Sequence, residues 1–412
     1  MANIVGIVLF ALIIFVSVCL HEAGHMVTAK AFGMKVSRYF AGFGPTLFSF
    51  RRGETEYGLK ALPLGGFVKI EGMTAQEEIA PEDEKRAMWR FPLWQRTIVM
   101  SAGSLTHFVL GFVLLWIMFV FVGIPNPALN DTDKIPAYVT VETCVVPTDD
   151  QVACQPGDAP SPAAQAGLQT NDKITSIDGK PINNYTELVN AIRAASAGPH
   201  AVGYERNGVA STATVDLVTV KRHPIDNPTG AQTEVSAIGV SFATPPGVPE
   251  TVTYGPIDSI GQSGKFTGEI FASVGSALKQ FPERVPALWH ALNGAPRDPN
   301  TPMSVVGASR LGGETAQHGA WAVFLLIAVS LNFFVGIFNL LPLLPLDGGH
   351  IAIAWFERFR SWLYGRIGRR DPGRVDYNKL MPVTYAVILI FGAFTLLTVG
   401  ADIVNPIRLF PK

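Results

Sequence analysis

The sequence predicts a polytopic α-helical membrane protein with four transmembrane helices, a cytoplasmic, membrane-associated β-hairpin region and an inserted extracytoplasmic α+β domain. Composition is the first observation. Of 412 residues, 48% are hydrophobic and 16% are charged, which is too apolar a balance for a simple soluble enzyme. Four apolar runs long enough to cross a bilayer are the second. Basic residues concentrated in two of the connecting stretches are the third, because such stretches stay on the cytoplasmic side.

Overall charge and cysteine content narrow the classes further. The formal net charge of −1 gives no reason to expect nucleic acid as a partner. Of the three cysteines, Cys144 and Cys154 lie ten positions apart in one polar segment on the outer side. We predict that they form a disulfide there, while Cys19, at membrane depth, stays reduced.

The first apolar run, within residues 1–30, leads without a break into His21-Glu22-Ala23-Gly24-His25, an HExxH motif. On a helix, residues four apart share a face, so both imidazoles can point at one cation. Glu22 can then reach a water molecule held by that cation and act as general base, which is the chemistry of zinc-assisted hydrolysis. Such polar groups are costly at membrane depth unless the bundle shelters them for a purpose.

Residues 31–97 are polar and basic, so they form a cytoplasmic loop. Within the loop, residues 46–70 alternate apolar and polar side chains on both sides of the turn signal Arg52-Gly53 and predict β-hairpins. The hairpins are either solvent-exposed or dip toward the site and offer an edge to an extended substrate. Residues 98–124 form the second span, in which His107 is the ionisable residue. We interpret His107 as a contributor to a buried site rather than a packing residue.

Residues 125–220 form a compact outer domain. Asn184 and Glu187 make a capping box for a short helix, and a hairpin with the turn Asn207-Gly208 follows. Residues 221–319 are Pro- and Gly-rich around an amphipathic helical pattern, which we interpret as a helix packed on the domain or lying at the membrane interface. Its apolar positions are Phe266, Ile270, Val274, Leu278, Phe281, Val285, Leu288 and Trp289.

Residues 320–350 contain the third span, which is broken by two prolines just before Asp347-Gly348-Gly349-His350. Irregular backbone at membrane depth is tolerated where it lines a cavity or is buried in protein. The HExxH motif lacks the downstream histidine of metzincins, so a third zinc ligand has to come from a distant segment. Asp347 is the predicted ligand, and His350 is its rival.

Residues 351–382 are rich in arginine and form a second cytoplasmic loop before the last span, residues 383–404. This topology places both termini and the inserted domain outside the cytoplasm. It also places the HExxH motif and Asp347 at the cytoplasmic ends of two antiparallel spans, at one depth.

Two resemblances follow from these motifs. The small-residue element 161–168 followed by Ile-x-x-Ile-Asp-Gly resembles PDZ domains, which bind peptides at a sheet edge. The whole chain resembles the site-2 protease family of intramembrane zinc metalloproteases, in its actinobacterial regulated-intramembrane-proteolysis branch, relatives of the bacterial sigma-E regulator protease. The motifs are His21-Glu-x-x-His25, Gly42-Phe-Gly-Pro45, Pro63-Leu-Gly-Gly-Phe67 and Asn339-x-x-Pro-x-x-Pro-Leu-Asp-Gly-Gly349.

The family resemblance implies Zn²⁺ on His21, His25 and Asp347, with Glu22 as the catalytic base and Asn339 near the substrate backbone. Relatives often carry an Asn near the start of the second span, where this chain has His107, so His107 is a tentative substrate-binding residue. The resemblance also implies a multi-pass protein of the bacterial inner membrane. Its substrates are single-span proteins, commonly anti-sigma factors already trimmed by an upstream site-1-type protease.

Two alternatives from other classes stay open at the level of the sequence. One is a catalytically inert membrane scaffold that tethers partners through the PDZ-like domain, against which the intact Glu22 argues. The other is a zinc transporter or sensor that uses the same ligands, for which a general base is superfluous. Zinc content together with the effect of Glu22→Gln separates the three.

Overall fold

The computed structural model describes residues 1–410 except 74–76, 78, 150, 152–153, 226–229, 296 and 299–300, and leaves out the side chains of residues 64, 278, 281 and 282. The chain divides into two compact units. The helical unit comprises Met1–Val122 and Tyr254–Phe410, and the inserted unit comprises Gly123–Thr253.

Among the described residues, the helical unit contains seven α-helices and one β-sheet built from two long, bent strands. Four of its helical segments have the length and hydropathy of membrane spans: Ala2–Ala31, Leu93–Val122, Trp321–Asn339 and Met381–Val404. The predicted four spans are therefore present as helices, and the second begins five residues before the predicted residue 98. The elements in chain order are α1 (Ala2–Ala31), β1 (Val36–Arg52), β2 (Thr55–Ile70) and α2 (Leu93–Ile117, continued by a π-turn Met118–Val122).

The inserted unit follows with β3 (Ile124–Pro125), β4 (Tyr138–Val141), β5 (Cys144–Val145), β6 (Ala159–Pro160), α3 (Pro162–Gln165), β7 (Asp172–Ile177), β8 (Lys180–Pro181), α4 (Tyr185–Ala194), β9 (Gly198–Arg206), β10 (Val209–Arg222), β11 (Thr233–Ala237), β12 (Val240–Phe242) and β13 (Thr251–Val252). The chain then returns to the helical unit with α5 (Asp258–Leu292), α6 (Val305–Gln317), α7 (Trp321–Asn339), α8 (Asp347–Arg366) and α9 (Met381–Val404).

Close packing of α1 against two neighbours sets the frame of the helical unit. A methyl group on Gly24 would lie 2.7 Å from the Ala102 carbonyl oxygen of α2. A methyl group on Gly6 would lie 2.5 Å from the Ala316 side chain of α6. Helices in an apolar environment gain stability from such close approach between small residues, because no hydrophobic driving force pulls them together.

The hairpin formed by β1 and β2 confirms the predicted turn, since the strands pair antiparallel up to Arg52 and Thr55. Both strands are bent, so four segments lie side by side in the order 48–51, 56–59, 38–41 and 66–69, which is more than a single hairpin. Its inner end is anchored by Val36 and Ile70, which are buried in a core with Met34 and Val99. Its outer part is exposed and apolar. The large apolar residues exposed there are Phe43, Leu47, Phe48, Phe50, Leu59 and Leu62.

The inserted unit is built on a seven-stranded sheet with the order β11-β10-β9-β7-β4-β12, in which β8 also pairs with β7. Helix α4 caps as predicted, because the Asn184 side chain accepts a hydrogen bond from the Glu187 N–H at 2.8 Å. The predicted domain end at residue 220 is wrong. Strands β11 and β12 complete the sheet, so the unit extends to Thr253.

Two segment boundaries in the last third of the chain also differ from prediction. The third span ends at Asn339, and residues 340–346 are not helical. The predicted loop 351–382 is helical over its first half, because α8 starts at Asp347 and continues to Arg366. Two glycines permit this start: a methyl group on Gly348 would lie 2.2 Å from the Leu340 carbonyl oxygen, and one on Gly349 would lie 2.7 Å from the Leu343 carbonyl carbon.

The amphipathic pattern after the inserted domain is confirmed as α5. Leu288 is fully buried, Ile270 and Val274 are buried, and Trp289 is exposed. The side chains of Leu278 and Phe281 lie outside the described residues.

The predicted disulfide is also confirmed, with Cys144 and Cys154 joined, while Cys19 is a free thiol. We expect thiol labelling of the denatured, non-reduced chain to add one label, on Cys19. After reduction, all three cysteines react, because the ten-residue loop is then open. Mass spectrometry of the labelled protein measures both values. Three labels without reductant would contradict the disulfide.

Candidate active site

Helix α1 places His21 and His25 on one buried face, with ring centroids 4.8 Å apart. Both side chains are almost completely buried. The Nδ1 atom of His25 lies 2.7 Å from the Val99 carbonyl oxygen of α2, which can only accept, so Nδ1 carries the proton. The Nε2 atom of His25 therefore presents a lone pair toward His21.

Asp347, the first residue of α8, completes the group. Its Oδ2 atom lies 3.3 Å from Nε2 of His21 and 3.3 Å from Nε2 of His25. The two Nε2 atoms are 3.2 Å apart. Residues more than 320 positions apart thus direct three potential ligand atoms at one point, as the sequence predicted for a distant third ligand.

These three residues fit a zinc ion. Zinc bonds of about 2.0–2.1 Å in a tetrahedron separate neighbouring ligand atoms by about 3.3 Å. The three observed distances of 3.2, 3.3 and 3.3 Å match one face of that tetrahedron. The Asp347 Oδ2 atom is also buried and makes no hydrogen bond among the described residues. A buried carboxylate oxygen without a partner is costly, and a cation at this point stabilises it.

Glu22 lies beside this group and contacts the hairpin. Its Oε2 atom accepts a hydrogen bond from the Val68 N–H of β2 at 3.0 Å. A methyl group on Gly66 would lie 3.4 Å from the Glu22 Cγ atom, so the strand passes close to the carboxylate. The strand at residues 66–68 therefore reaches the site, as one of the two predicted possibilities requires, while binding of a substrate to its edge stays a prediction.

Tyr39 of β1 fastens the hairpin to the same stretch of α1. Its hydroxyl donates a hydrogen bond to the Cys19 carbonyl oxygen at 2.8 Å. Burial, followed by the nearby Cys19 and Glu22, raises the pKa of Tyr39 to about 12. The phenol is therefore neutral at physiological pH and remains a donor.

Comparison with known proteins identifies the chain. The model of a protein family described as Peptidase family M50 matches residues 9–368. The chain belongs to peptidase family M50. This is the site-2 protease family that the motifs predicted, and the activity is that of a membrane zinc metalloprotease.

Relatives cover the whole chain. The zinc metalloprotease Rip1 of Mycolicibacterium smegmatis is 43% identical over 410 residues, which are 98% of this chain and 99% of that protein. The zinc metalloproteases Rip1 of Mycobacterium tuberculosis and Mycobacterium bovis are each 43% identical over 413 residues and cover both chains completely. The similarity of this M50 peptidase to them therefore extends through the inserted unit as well as the helical unit.

His107 of the M50 peptidase lies next to the metal group and not within it. Its ring centroid is 5.0 Å from that of His21. Its Nδ1 atom lies 3.0 Å from the Ser17 hydroxyl oxygen and 2.9 Å from the Asn332 Oδ1 atom. Ser17 also donates a short hydrogen bond to Asn332. The three side chains form a buried polar cluster behind His21, so the structure gives His107 hydrogen-bonding partners within the protein.

Asn339 and His350 occupy different surroundings. Asn339 is the last residue of α7, is half-buried, and its side-chain amide makes no hydrogen bond among the described residues. His350 points its Nδ1 atom toward the Tyr377 hydroxyl, at 3.5 Å. The described residues that converge as a metal group are His21, His25 and Asp347, and His350 is not among them. The roles of Asn339 and of the metal-group residues are taken up as proposals below.

Sequence reasoning missed Gly103 of α2, on which the metal group depends. A methyl group there would lie 2.4 Å from the His25 Nε2 atom and 2.6 Å from the His21 Nε2 atom. The absent side chain leaves the space into which both imidazoles project. A glycine inside an apolar span, four residues before His107, was the available signal, but it does not by itself say which neighbour needs the space.

We expect Gly103→Ala to lower zinc affinity by at least about tenfold and to abolish peptidase activity, because the new methyl group displaces both ligand nitrogens. Gly392→Ala is the matched control, since a methyl group at Gly392 of α9 meets nothing within 4 Å. Zinc per purified protein and the monodispersity of each variant are the measurements. Full zinc content in a well-folded Gly103→Ala variant would contradict this packing.

Proposed function

We propose that His21, His25 and Asp347 hold the catalytic zinc of this M50 peptidase and that Glu22 is its general base. The observation that carries the proposal is the triangle of two imidazole nitrogens and one buried carboxylate oxygen, 3.2–3.3 Å on each side. The enzyme hydrolyses peptide bonds in or near the transmembrane helix of single-span membrane proteins.

Zinc bound there supplies a Lewis acid that polarises the scissile carbonyl and makes a water molecule acidic enough to lose a proton near neutral pH. Glu22 takes that proton on its carboxylate and delivers it to the leaving amine. Its Oε2 atom is held by the Val68 N–H, so the other carboxylate oxygen is the one available to the water. The His25 Nδ1 proton is fixed by the Val99 carbonyl oxygen, which orients that ring.

Strand β2 presents the substrate. The Val68 N–H points away from β1, because it donates to Glu22. Residues 66–70 of β2 pair with residues 36–41 of β1 along one edge, and no strand among the described residues pairs with their other edge. An extended segment of substrate added to this edge places its backbone next to Glu22. Asn339, whose amide has no partner in the described part of the chain, is proposed to bond the substrate backbone, and His107 to position the site from behind His21.

We further propose that the protein lies in the bacterial inner membrane with both termini and the inserted unit outside the cytoplasm. The basic stretches 31–97 and 351–382 support this orientation through the positive-inside rule. The inserted unit is PDZ-like and admits trimmed substrates. Support comes from a groove of about 770 Å³ between α4 and β11, lined by apolar side chains such as Leu188 and by Arg193 and Arg222.

The proposed substrates are anti-sigma factors that an upstream site-1-type protease has already shortened. A groove that combines apolar side chains with two arginines suits the new chain end of such a product, since arginine pairs with a terminal carboxylate. A full-length outer domain lacks that end. Membership of peptidase family M50 argues against the inert scaffold and the zinc transporter or sensor, and neither of those functions needs a carboxylate placed beside the metal group as Glu22 is.

The first test separates metal ligand from base. We expect Asp347→Asn to lose both activity and most of the zinc, because the carboxylate charge that stabilises the ion is gone. Glu22→Gln keeps its zinc and loses roughly 10²–10⁴-fold in rate, because it acts in proton transfer. The measurements are zinc per protein in detergent and cleavage of a transmembrane peptide.

Two results would contradict these assignments. If Asp347→Asn kept its full zinc while His350→Ala lost it, His350 would be the third ligand. If Glu22→Gln cleaved at the wild-type rate, Glu22 would not be the general base.

The second test concerns the groove of the inserted unit. Val189 lines it from α4, and the neighbouring Asn190 is exposed and does not. We expect Val189→Trp to fill the groove and lower the cleavage of a trimmed substrate relative to its full-length form. Asn190→Trp, the matched control, leaves that ratio unchanged. Equal ratios for both variants and the wild type in a membrane-reconstituted assay would rule out the groove as the selective element.

A further inference from the structure

A second cavity of about 770 Å³ lies in the helical unit, away from the metal group. It is enclosed by the start of α2, the middle of α8 and residues 371–374. Its lining combines tryptophan and arginine side chains, chiefly Trp94, Arg96, Trp355, Arg358 and Arg374. Neither the HExxH motif nor the substrate strand uses these residues.

The cavity lies at the end of a candidate membrane span. Leu93, one of its lining residues, is also the first residue of the second span. Trp94 and Trp355 are both more than half exposed, and the Trp355 Nε1–H donates to the Thr97 hydroxyl of α2 at 3.2 Å. Tryptophans concentrate at the boundary between acyl chains and headgroups, where one part of the ring is apolar and the N–H is polar. The cavity is therefore at headgroup level.

The exposed side of α8 also indicates that the cavity lies at the level of the lipid headgroups. Several large apolar residues on and just after α8 are about half exposed, and they alternate with arginines, as in helices that lie at a membrane surface. The exposed apolar residues are Trp355, Phe356, Phe359, Trp362, Leu363 and Ile367. The arginines of this segment are Arg358, Arg360, Arg366, Arg369 and Arg370.

Two of the arginines that line the cavity form no ion pair with its carboxylates. Glu357 is occupied, because it pairs with Arg96 at 3.5 Å and accepts the Val375 N–H at 2.8 Å. Asp371 is occupied as well, since it accepts hydrogen bonds from the Ser361 hydroxyl and the Gly373 N–H.

Arg358 is exposed and makes no ion pair among the described residues, and Arg374 stacks 4.3 Å from the Trp89 ring centroid. These two guanidinium groups therefore remain available to an anion. The lining holds three arginines, Arg96, Arg358 and Arg374, against the carboxylates of Glu357 and Asp371, so its formal net charge is +1.

We propose that this cavity binds the phosphate headgroup of an anionic phospholipid, with Arg358 and Arg374 as its ligands and Trp94 and Trp355 beside the glycerol region. Arginine recognises phosphate through paired N–H groups, and the exposed apolar residues of α8 provide the adjoining contact with acyl chains. A soluble acidic partner lacks the apolar part that those residues require. The proposal rests on the membrane setting of the chain and not on the assignment of the zinc ligands.

The test uses the full-length protein in detergent, titrated with phosphatidylglycerol or phosphatidylcholine and examined by native mass spectrometry. We expect the wild type to retain one phosphatidylglycerol at least about tenfold more tightly than phosphatidylcholine. Arg358→Gln and Arg374→Gln each weaken that binding by roughly fivefold. Arg369→Gln is the matched control, because Arg369 is an exposed arginine of the same segment that does not line the cavity.

Equal retention of both lipids by the wild type would overturn the proposal, as would unchanged retention in the two cavity variants. Competition by millimolar inorganic phosphate or by an acidic peptide, as effective as that by phosphatidylglycerol, would assign the cavity to soluble anions and also overturn it. Zinc content serves as an independent readout: loss of lipid selectivity with normal zinc separates this site from the metal centre.

Discussion

The convergence of two imidazoles and one carboxylate inside an apolar bundle is the constraint on which the rest of the structure depends. A carboxylate oxygen buried without a hydrogen bond destabilises a fold, and a divalent cation compensates for it only if all ligands reach it together. His21 and His25 lie on one helix, and Asp347 lies on another. Both of these helices pack against α2.

Glycines make that register possible. Gly24 allows α1 and α2 to approach, Gly103 leaves room for both imidazoles, and Gly348 lets α8 begin directly beneath Leu340. None of these glycines has a positive φ among the described residues. They are therefore required for space rather than for backbone conformation, and the metal centre is shaped by absent side chains as much as by present ones.

Local patterns in the sequence predicted the features that depend on local physics. The HExxH spacing, the four apolar runs, the turn at Arg52-Gly53 and the cap at Asn184 each involve residues close together in the chain. The sequence predicts Asp347 as the third ligand because zinc requires one beyond the HExxH pair and this acid follows a proline-broken span, and its Oδ2 atom lies 3.3 Å from both imidazoles. These inferences used short-range periodicity or the chemistry of one ion.

Other features depend on packing between distant segments. The inserted sheet extends beyond residue 220 because β10 continues to Arg222 and pairs with β11, which no pattern within 125–220 reveals. The arginines of residues 351–382 predict a cytoplasmic loop, because their number indicates topology and does not by itself indicate a helix. The structure has helix α8 over the first half of this stretch. Gly103 became meaningful only when both imidazoles were placed against it.

The free edge of β2 has a consequence for the choice of substrate. An edge strand binds a substrate through hydrogen bonds to backbone N–H and C=O groups. Because nearly every residue has these groups, such binding distinguishes side chains poorly. A transmembrane helix must first give up its internal hydrogen bonds to lie along that edge, and those bonds are expensive to break away from water. The scissile region of a good substrate is accordingly a weak stretch of helix, rich in glycine or other poor helix formers, rather than a particular sequence.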